Sequence, residues 1–209
     1  MNILDIHSHK TPSAENAITA ICLPEDFPEY VPGHFYSAGI HPKDAMKADE
    51  ETFRLLRQIA GTPETIAIGE CGADTLINTP MAFQINVLRK QIELSEELGK
   101  PLIIHDVRAH ETIIGIRKES HARQPWIIHG FRGKPSVAQM LLKAGCMLSF
   151  GEKFNPETVR ITPAELIFAE TDESTIPISG IIDRISETAG MDMRPIIESN
   201  IRRTFNPTG

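Results

Sequence analysis

Two histidines one residue apart, His7 and His9 in Asp5-Ile6-His7-Ser8-His9, close an apolar run at the N-terminus. On an extended strand positions i and i+2 project to one face, so the pair would offer two imidazoles to a common point. On a helix they would diverge by about 200°. A tolerated pair of surface histidines explains an isolated His-x-His equally well. The same placement recurs, however: a residue of ligating type closes or follows an apolar run at His41, Glu70, His105, His129 and Asp172. Imidazole nitrogens and carboxylate oxygens form a borderline donor set suited to zinc, manganese or similar divalent ions. His7, His9, Glu70, His105, His129 and Asp172 are too many ligands for one tetrahedral site and suit two ions sharing a carboxylate.

The runs that must position these residues are Ile3 to His7, Ala17 to Leu23, Phe35 to Ile40, Thr65 to Ile68, Leu102 to His105, Trp126 to His129, Cys146 to Phe150 and Leu166 to Ala169. Short continuous apolar runs are the signature of strands buried on both faces of a parallel sheet. Between several of them lie helices with recognisable ends. Thr79 can cap and Pro80 opens a helix whose stripe is Met81, Ile85, Leu88 and Ile92, with Gly99 as its stop. Asp49 to Ala60 and Pro135 to Ala144 are each followed by glycine, and Ile178 to Phe205 reads as two helices hinged near Met191 to Pro195.

Eight strands in β/α alternation predict an α/β fold of the (β/α)8 TIM-barrel type, compact at 209 residues. Lys10 to Asn16 barely suffices for a crossover helix, so one or two of the eight helices should be shortened or missing. An open doubly wound sheet is the structural alternative. No linker-like change in composition interrupts residues 1–209, which read as a single domain. In a barrel the strand C-termini converge on one face, where sites of this fold are built.

Composition narrows the function classes. The chain is 41% hydrophobic and 23% charged, ordinary for a globular protein. No run approaches the ~20 apolar residues that span a bilayer, and a secretory leader is not evident, so no membrane association and a cytoplasmic location are expected. Cys22, Cys71 and Cys146 are too few and too scattered for a disulfide framework and read as reduced thiols. A formal charge of −7 excludes broad electrostatic coating of nucleic acid but not a nucleic-acid substrate, because bound divalent ions concentrate positive charge where a phosphate sits.

Asp-Ile-His-Ser-His at 5–9, Gly-Ile-His-Pro at 39–42, Ile-Gly-Glu-Cys-Gly-Ala-Asp at 68–74, Pro-Leu-Ile-Ile-His at 101–105, Ile-His-Gly-Phe-Arg-Gly at 128–133 and Glu-Thr-Asp at 170–172 together resemble the TatD family. That family comprises metal-dependent hydrolases on a TIM barrel, commonly described as deoxyribonucleases, within the wider amidohydrolase-like group. The resemblance implies that His7, His9, Glu70 and Asp172 hold one divalent metal ion (zinc, manganese or magnesium) and that Glu70, His105 and His129 hold the second. Glu70 would bridge them, where other amidohydrolase-like proteins use a carboxylated lysine. It further implies DNA as substrate, a metal-activated water as nucleophile and Asp172 as the group that orients and deprotonates that water. A hydrolase acting on a small-molecule amide, ester or lactone would need the same water activation.

Three features depart from the family pattern. Arg108 falls one position later than usual, Glu173-Ser174-Thr175 replaces a proline-containing turn, and the chain is shorter than typical members. His41, Arg108 and Arg132 are candidate substrate contacts, with Lys134 beside Arg132 in the same glycine-rich loop. Asp5 shares a face with His7 and His9 and could orient a histidine or serve as a polar group of the barrel core. Asp74 could orient a ligand or cap a turn. His34, His110 and His121 read as solvated, and Trp126 as core.

Overall fold

The structure, a computed structural model, describes residues 3–10, 16–25 and 31–205. Eight strands appear, β1 (Asp5–Ser8), β2 (Ala17–Cys22), β3 (Phe35–Gly39), β4 (Thr65–Asp74), β5 (Leu102–Val107), β6 (Trp126–Ile128), β7 (Cys146–Phe150) and β8 (Ile167–Ala169). All pair in parallel and in sequence order. Whether the sheet closes decides between a barrel and an open doubly wound sheet. The seam between the first and last strands answers it: the Asp172 amide donates to the His7 carbonyl at 2.8 Å, and the His9 amide donates to the Asp172 carbonyl at 3.2 Å. The fold is therefore the eight-stranded barrel.

Asp5 belongs to this seam. Its carboxylate accepts from the Thr171 amide at 3.0 Å, the Thr171 hydroxyl at 2.6 Å and the His7 amide at 3.3 Å. It contacts the backbone beside the cluster and the chain after β8. Of the two roles open to it, the core polar role is the one its hydrogen bonds fit, with the added job of tying β1 to that chain. Burial, opposed by the Thr171 hydrogen bonds, pushes its carboxyl up to about 7.

Seven helices cover the outside among the described residues: α1 (Glu50–Ala60), α2 (Met81–Leu98), α3 (His110–Ser120), α4 (Pro135–Lys143), α5 (Pro156–Ile161), α6 (Ile178–Ala189) and α7 (Arg194–Phe205). None of them lies between β1 and β2 or between β2 and β3. Most of the Lys10 to Asn16 crossover falls outside the described residues, and α5 is reduced to 6 residues. Asp49 caps α1 by accepting the Thr52 amide at 2.8 Å. Thr79 does not cap α2; its hydroxyl donates to the Lys43 carbonyl at 3.0 Å, and Pro80 stands at the cap with no side-chain acceptor. Gly99 ends α2 in the left-handed region at φ +67°.

The strands are buried on both faces. Trp126, Ile127 and Ile128 of β6 have no exposed surface, and the Trp126 ring packs under the Arg117 guanidinium of α3 at 4.9 Å. Burying such a strand removes its flanking helices' apolar stripes from water as well, and this is the main favourable contribution to the fold.

The fourth strand is longer than the apolar run suggested. Thr65 to Ile68 continues through Glu70 to Asp74, with a register shift against β5 between Ile68 and Cys71. Gly69 (φ +142°) and Gly72 (φ +146°) permit this. A Cβ on Gly69 would lie 2.4 Å from the Ile103 carbonyl oxygen, and one on Gly72 would lie 2.0 Å from that of His105. The two strands approach this closely only because both residues lack a side chain.

Candidate metal centre

The strand C-termini bring all six predicted ligands to one mouth. Glu70, inside β4 and 4% exposed, lies at the centre. Its Oε2 lies 3.3 Å from His9 Nε2 and 3.5 Å from His7 Nε2. Its Oε1 lies 2.6 Å from His105 Nδ1 and 2.9 Å from His129 Nε2. Each carboxylate oxygen thus faces a different histidine pair. Asp172 is more peripheral, with Oδ1 3.8 Å from His9 Nε2, and its backbone adopts φ +52°.

His41 also enters the cluster. Its Nδ1 accepts the Lys43 amide at 3.0 Å, so the proton of the neutral ring is on Nε2, which lies 3.4 Å from Glu70 Oε1. A nitrogen that carries a proton is a hydrogen-bond donor rather than a metal ligand. This geometry separates His41 from the other four histidines.

The electrostatics follow from burying charges of both signs together. Burial alone would raise the Glu70 pKa, but the adjoining His129 charge and hydrogen bonds from His105, His129 and His41 hold it well below the usual carboxylate range. Burial opposes the charging of His129, yet the Glu70 and Glu170 carboxylates outweigh this and hold it well above the usual imidazole value. Burial, reinforced by His129, pushes His7 down. His9, hydrogen-bonded to Glu70, is raised.

The donor set fits a divalent ion. Ligand atoms of His7, Glu70 and His129 lie within 4.8 Å of one another, as do those of His7, His9 and Asp172. The two Nε2 atoms of His7 and His9 face each other at 3.1 Å, an arrangement in which a cation can accept both lone pairs. Such binding would displace the proton that His129 holds between two carboxylates, so affinity rises with pH. Cys22 Sγ also lies within 4.8 Å of the His9 and Glu70 donors.

Several residues that position this site carried no motif signal, or stood in a motif without a definite role. Gln91 of α2 accepts from the Ile40 amide at 2.8 Å and donates to the Ile40 carbonyl at 3.1 Å, fixing the residue before His41. Gln84 does the same for Asp74, accepting from its amide at 2.8 Å and donating to its carbonyl at 3.0 Å. Buried glutamines seven residues apart on one helix face were readable only as interruptions of an apolar stripe. Glu170 is completely buried against His129. Asp74 does both jobs considered for it: Oδ1 accepts the Leu76 amide at 2.7 Å, and Oδ2 lies 3.2 Å from His105 Nε2.

A cavity of about 1020 Å³ opens over the cluster. Arg108 and Arg132 are exposed on its wall, Lys43 lines it, and His110, read as solvated, is a half-buried part of it. Lys134, by contrast, is exposed and does not line it. His121 is exposed and His34 partly buried, both away from the mouth.

A closed parallel barrel with an imidazole and carboxylate cluster at the C-terminal ends of its strands is the architecture of the barrel metallohydrolases. Comparison with known proteins gives the family. The model of the family described as TatD related DNase matches residues 11–205, and the chain belongs to that family. It is 33% identical over 147 residues to a protein of Bacillus subtilis named uncharacterized metal-dependent hydrolase YabD, covering 66% of this chain and 58% of that one. It is 29% identical over 170 residues to the 3'-5' ssDNA/RNA exonuclease TatD of Erwinia tasmaniensis, covering 73% and 62%. The chain therefore spans about six tenths of the length of the curated relatives it matches. Among solved structures, the TatD homologue YjjV of Escherichia coli K12 superposes with a TM-score of 0.85 at 18% identity, covering 98% of each chain, which bears on the fold.

Proposed function

We propose that this protein hydrolyses phosphodiester bonds of DNA with divalent metal ions held at the barrel mouth. The observation that carries this reading is the division of the Glu70 carboxylate between two histidine pairs. His7, His9, Glu70 and Asp172 would hold one ion, and Glu70, His105 and His129 the other. Zinc, manganese and magnesium are the candidates. Ions bound there supply a lowered pKa for water and charge compensation for a phosphoryl oxygen.

The chain's own groups do the rest. Asp172 is half-exposed at the mouth, where its Oδ1 can orient an incoming water and take its proton. His41, held by the Lys43 amide and, through its neighbour Ile40, by Gln91, presents a proton-bearing Nε2 to an oxygen of the substrate or the water. Arg108 and Arg132 lie where the phosphates flanking the scissile bond would pass, and guanidinium forks suit that contact. The Erwinia relative is named as a 3'-5' exonuclease of single-stranded DNA and RNA, which makes strand ends the favoured substrate.

Incubation of metal-loaded protein with single- and double-stranded DNA, with a chelator control, tests the proposal. Cleavage that the chelator abolishes is expected. Turnover of a carboxylic ester, lactone or amide with no cleavage of either DNA would overturn it.

A further inference from the structure

His129 addresses two carboxylates with its two ring nitrogens. Nε2 is 2.9 Å from Glu70 Oε1, and Nδ1 is 3.2 Å from Glu170 Oε1. His105 is arranged with the opposite polarity, Nδ1 at 2.6 Å from Glu70 Oε1 and Nε2 at 3.2 Å from Asp74 Oδ2. We propose that Glu170 is a positioning residue that locks His129 in the Nδ1–H tautomer, so that the Nε2 lone pair is the one offered to the metal centre. This rests on the reading of His129 as a metal ligand.

Both ring nitrogens face carboxylates, and an ionised carboxylate only accepts hydrogen bonds. Glu70 is shared with the three other candidate ligand histidines and would itself be a metal ligand, so a cation there takes the place of a proton on Nε2, whereas Glu170 faces Nδ1 alone and keeps the proton on that nitrogen. In a neutral ring the other nitrogen is then the lone-pair donor. The carboxylate is placed to impose this choice rather than follow it. Glu170 has no exposed surface, and its amide donates to the Phe150 carbonyl at 3.2 Å, which ties it to β7. The next residue, Thr171, is tied by amide and hydroxyl to Asp5. Asp74 offers the same acceptor to His105 but divides its oxygens between that ring and the Leu76 amide.

The test uses the zinc-loaded protein. Long-range proton–nitrogen NMR should show His129 with a protonated Nδ1 and a zinc-shifted Nε2. Glu170→Ala should weaken the affinity of one zinc ion by about 10–100-fold in a chelator competition. Glu170→Gln, which keeps an acceptor oxygen of the same shape, should recover part of that loss. A purely structural Glu170 would lower thermal stability in Glu170→Ala without changing the zinc affinity of the folded fraction. A His129 that binds zinc through Nδ1, or a Glu170→Ala affinity within twofold of the parent, would overturn the proposal; the first result needs no variant to fold. Absence of zinc binding by the parent protein would instead defeat the metal-centre reading on which this one depends.

Discussion

Alanine at residue 72 measures how far the site depends on the near-contact of β4 and β5. The added Cβ would lie 2.0 Å from the His105 carbonyl oxygen and 2.9 Å from the His105 carbonyl carbon and amide nitrogen. All three are backbone atoms, so no side chain can swing aside, and the strands must part by about 1.4 Å to restore van der Waals contact. Forced overpacking of this kind costs about 1–3 kcal/mol, and a side chain at φ +146° adds about 1–3 kcal/mol of strain. The expected loss is therefore about 2–6 kcal/mol, a large part of the about 5–15 kcal/mol that stabilises a domain. In a chain of this size that lowers Tm by roughly 5–20 °C. Gly99→Ala supplies the control, because Gly99 also has positive φ (+67°) but has no atom within 4 Å of where the added methyl would sit. Only the backbone strain of about 1–2 kcal/mol remains there. Thermal melts of metal-free protein and zinc titrations of both variants decide the matter. Gly72→Ala should melt well below Gly99→Ala and, where folded, bind zinc more weakly because His105 moves away from Glu70. Equal melting shifts, or an unchanged zinc affinity in Gly72→Ala, would refute the argument.

Glu70→Ala should abolish metal occupancy, measured by elemental analysis after reconstitution, whereas His41→Ala should retain most of it; equal loss would contradict the central role given to Glu70. The Asp5 carboxyl, raised from 3.8 to about 7, holds a proton in the folded protein that the unfolded chain releases earlier. Its contribution to metal-free stability is accordingly full below about pH 4 and lost as pH rises to 7, and Asp5→Asn should flatten that slope in urea titrations between those values. Burial pushes the Cys146 thiol up to about 12 and raises Cys71 further, so thiol reagents should reach neither until the protein unfolds. Cys22 lines the cavity, and zinc should slow its labelling.

Periodicity and strand-end polarity carried the barrel and the gathering of the six candidate ligands at its mouth a long way, since each of these residues stands at or near the end of a short apolar run that became a buried strand. The sequence pattern failed where a residue's partner is remote or a backbone form is unusual. Glu70 stood outside the expected strand because Gly69 and Gly72 broke the apolar run, yet those glycines are what let β4 continue past it. Asp5 shared the periodicity of His7 and His9 but answers to Thr171, 166 residues away. Gln84 and Gln91 drew no reading from the sequence, and only the packed barrel shows them clamping Asp74 and Ile40. Glu170 lay in a recognised motif, but its role depends on which nitrogen of His129 faces it, and ring orientation has no linear signature.

The charge balance sets one further condition on the proposed substrate. A chain of formal charge −7 whose mouth gathers Glu70, Asp172 and Glu173 repels a polyanion, and Arg108, Arg132 and Lys43 oppose that field only locally. Two divalent ions would change the formal charge to −3 and place the added charge on the phosphate's path. Binding of single-stranded DNA, and not its cleavage alone, should then require metal. With two or three cationic side chains available to phosphates, the slope of log K against log[salt] should be shallow, about −1.4 to −2. Arg132→Ala should reduce that slope by about 0.7 and raise KM more than it lowers kcat, because its contact is made in the ground state as well as the transition state. Fluorescence anisotropy with a cleavage-resistant phosphorothioate strand, across a salt series with and without metal, measures all three quantities except the kinetic split. Tight binding by the metal-free protein, or a steep slope that Arg132→Ala leaves unchanged, would mean that DNA is held by a surface other than this mouth.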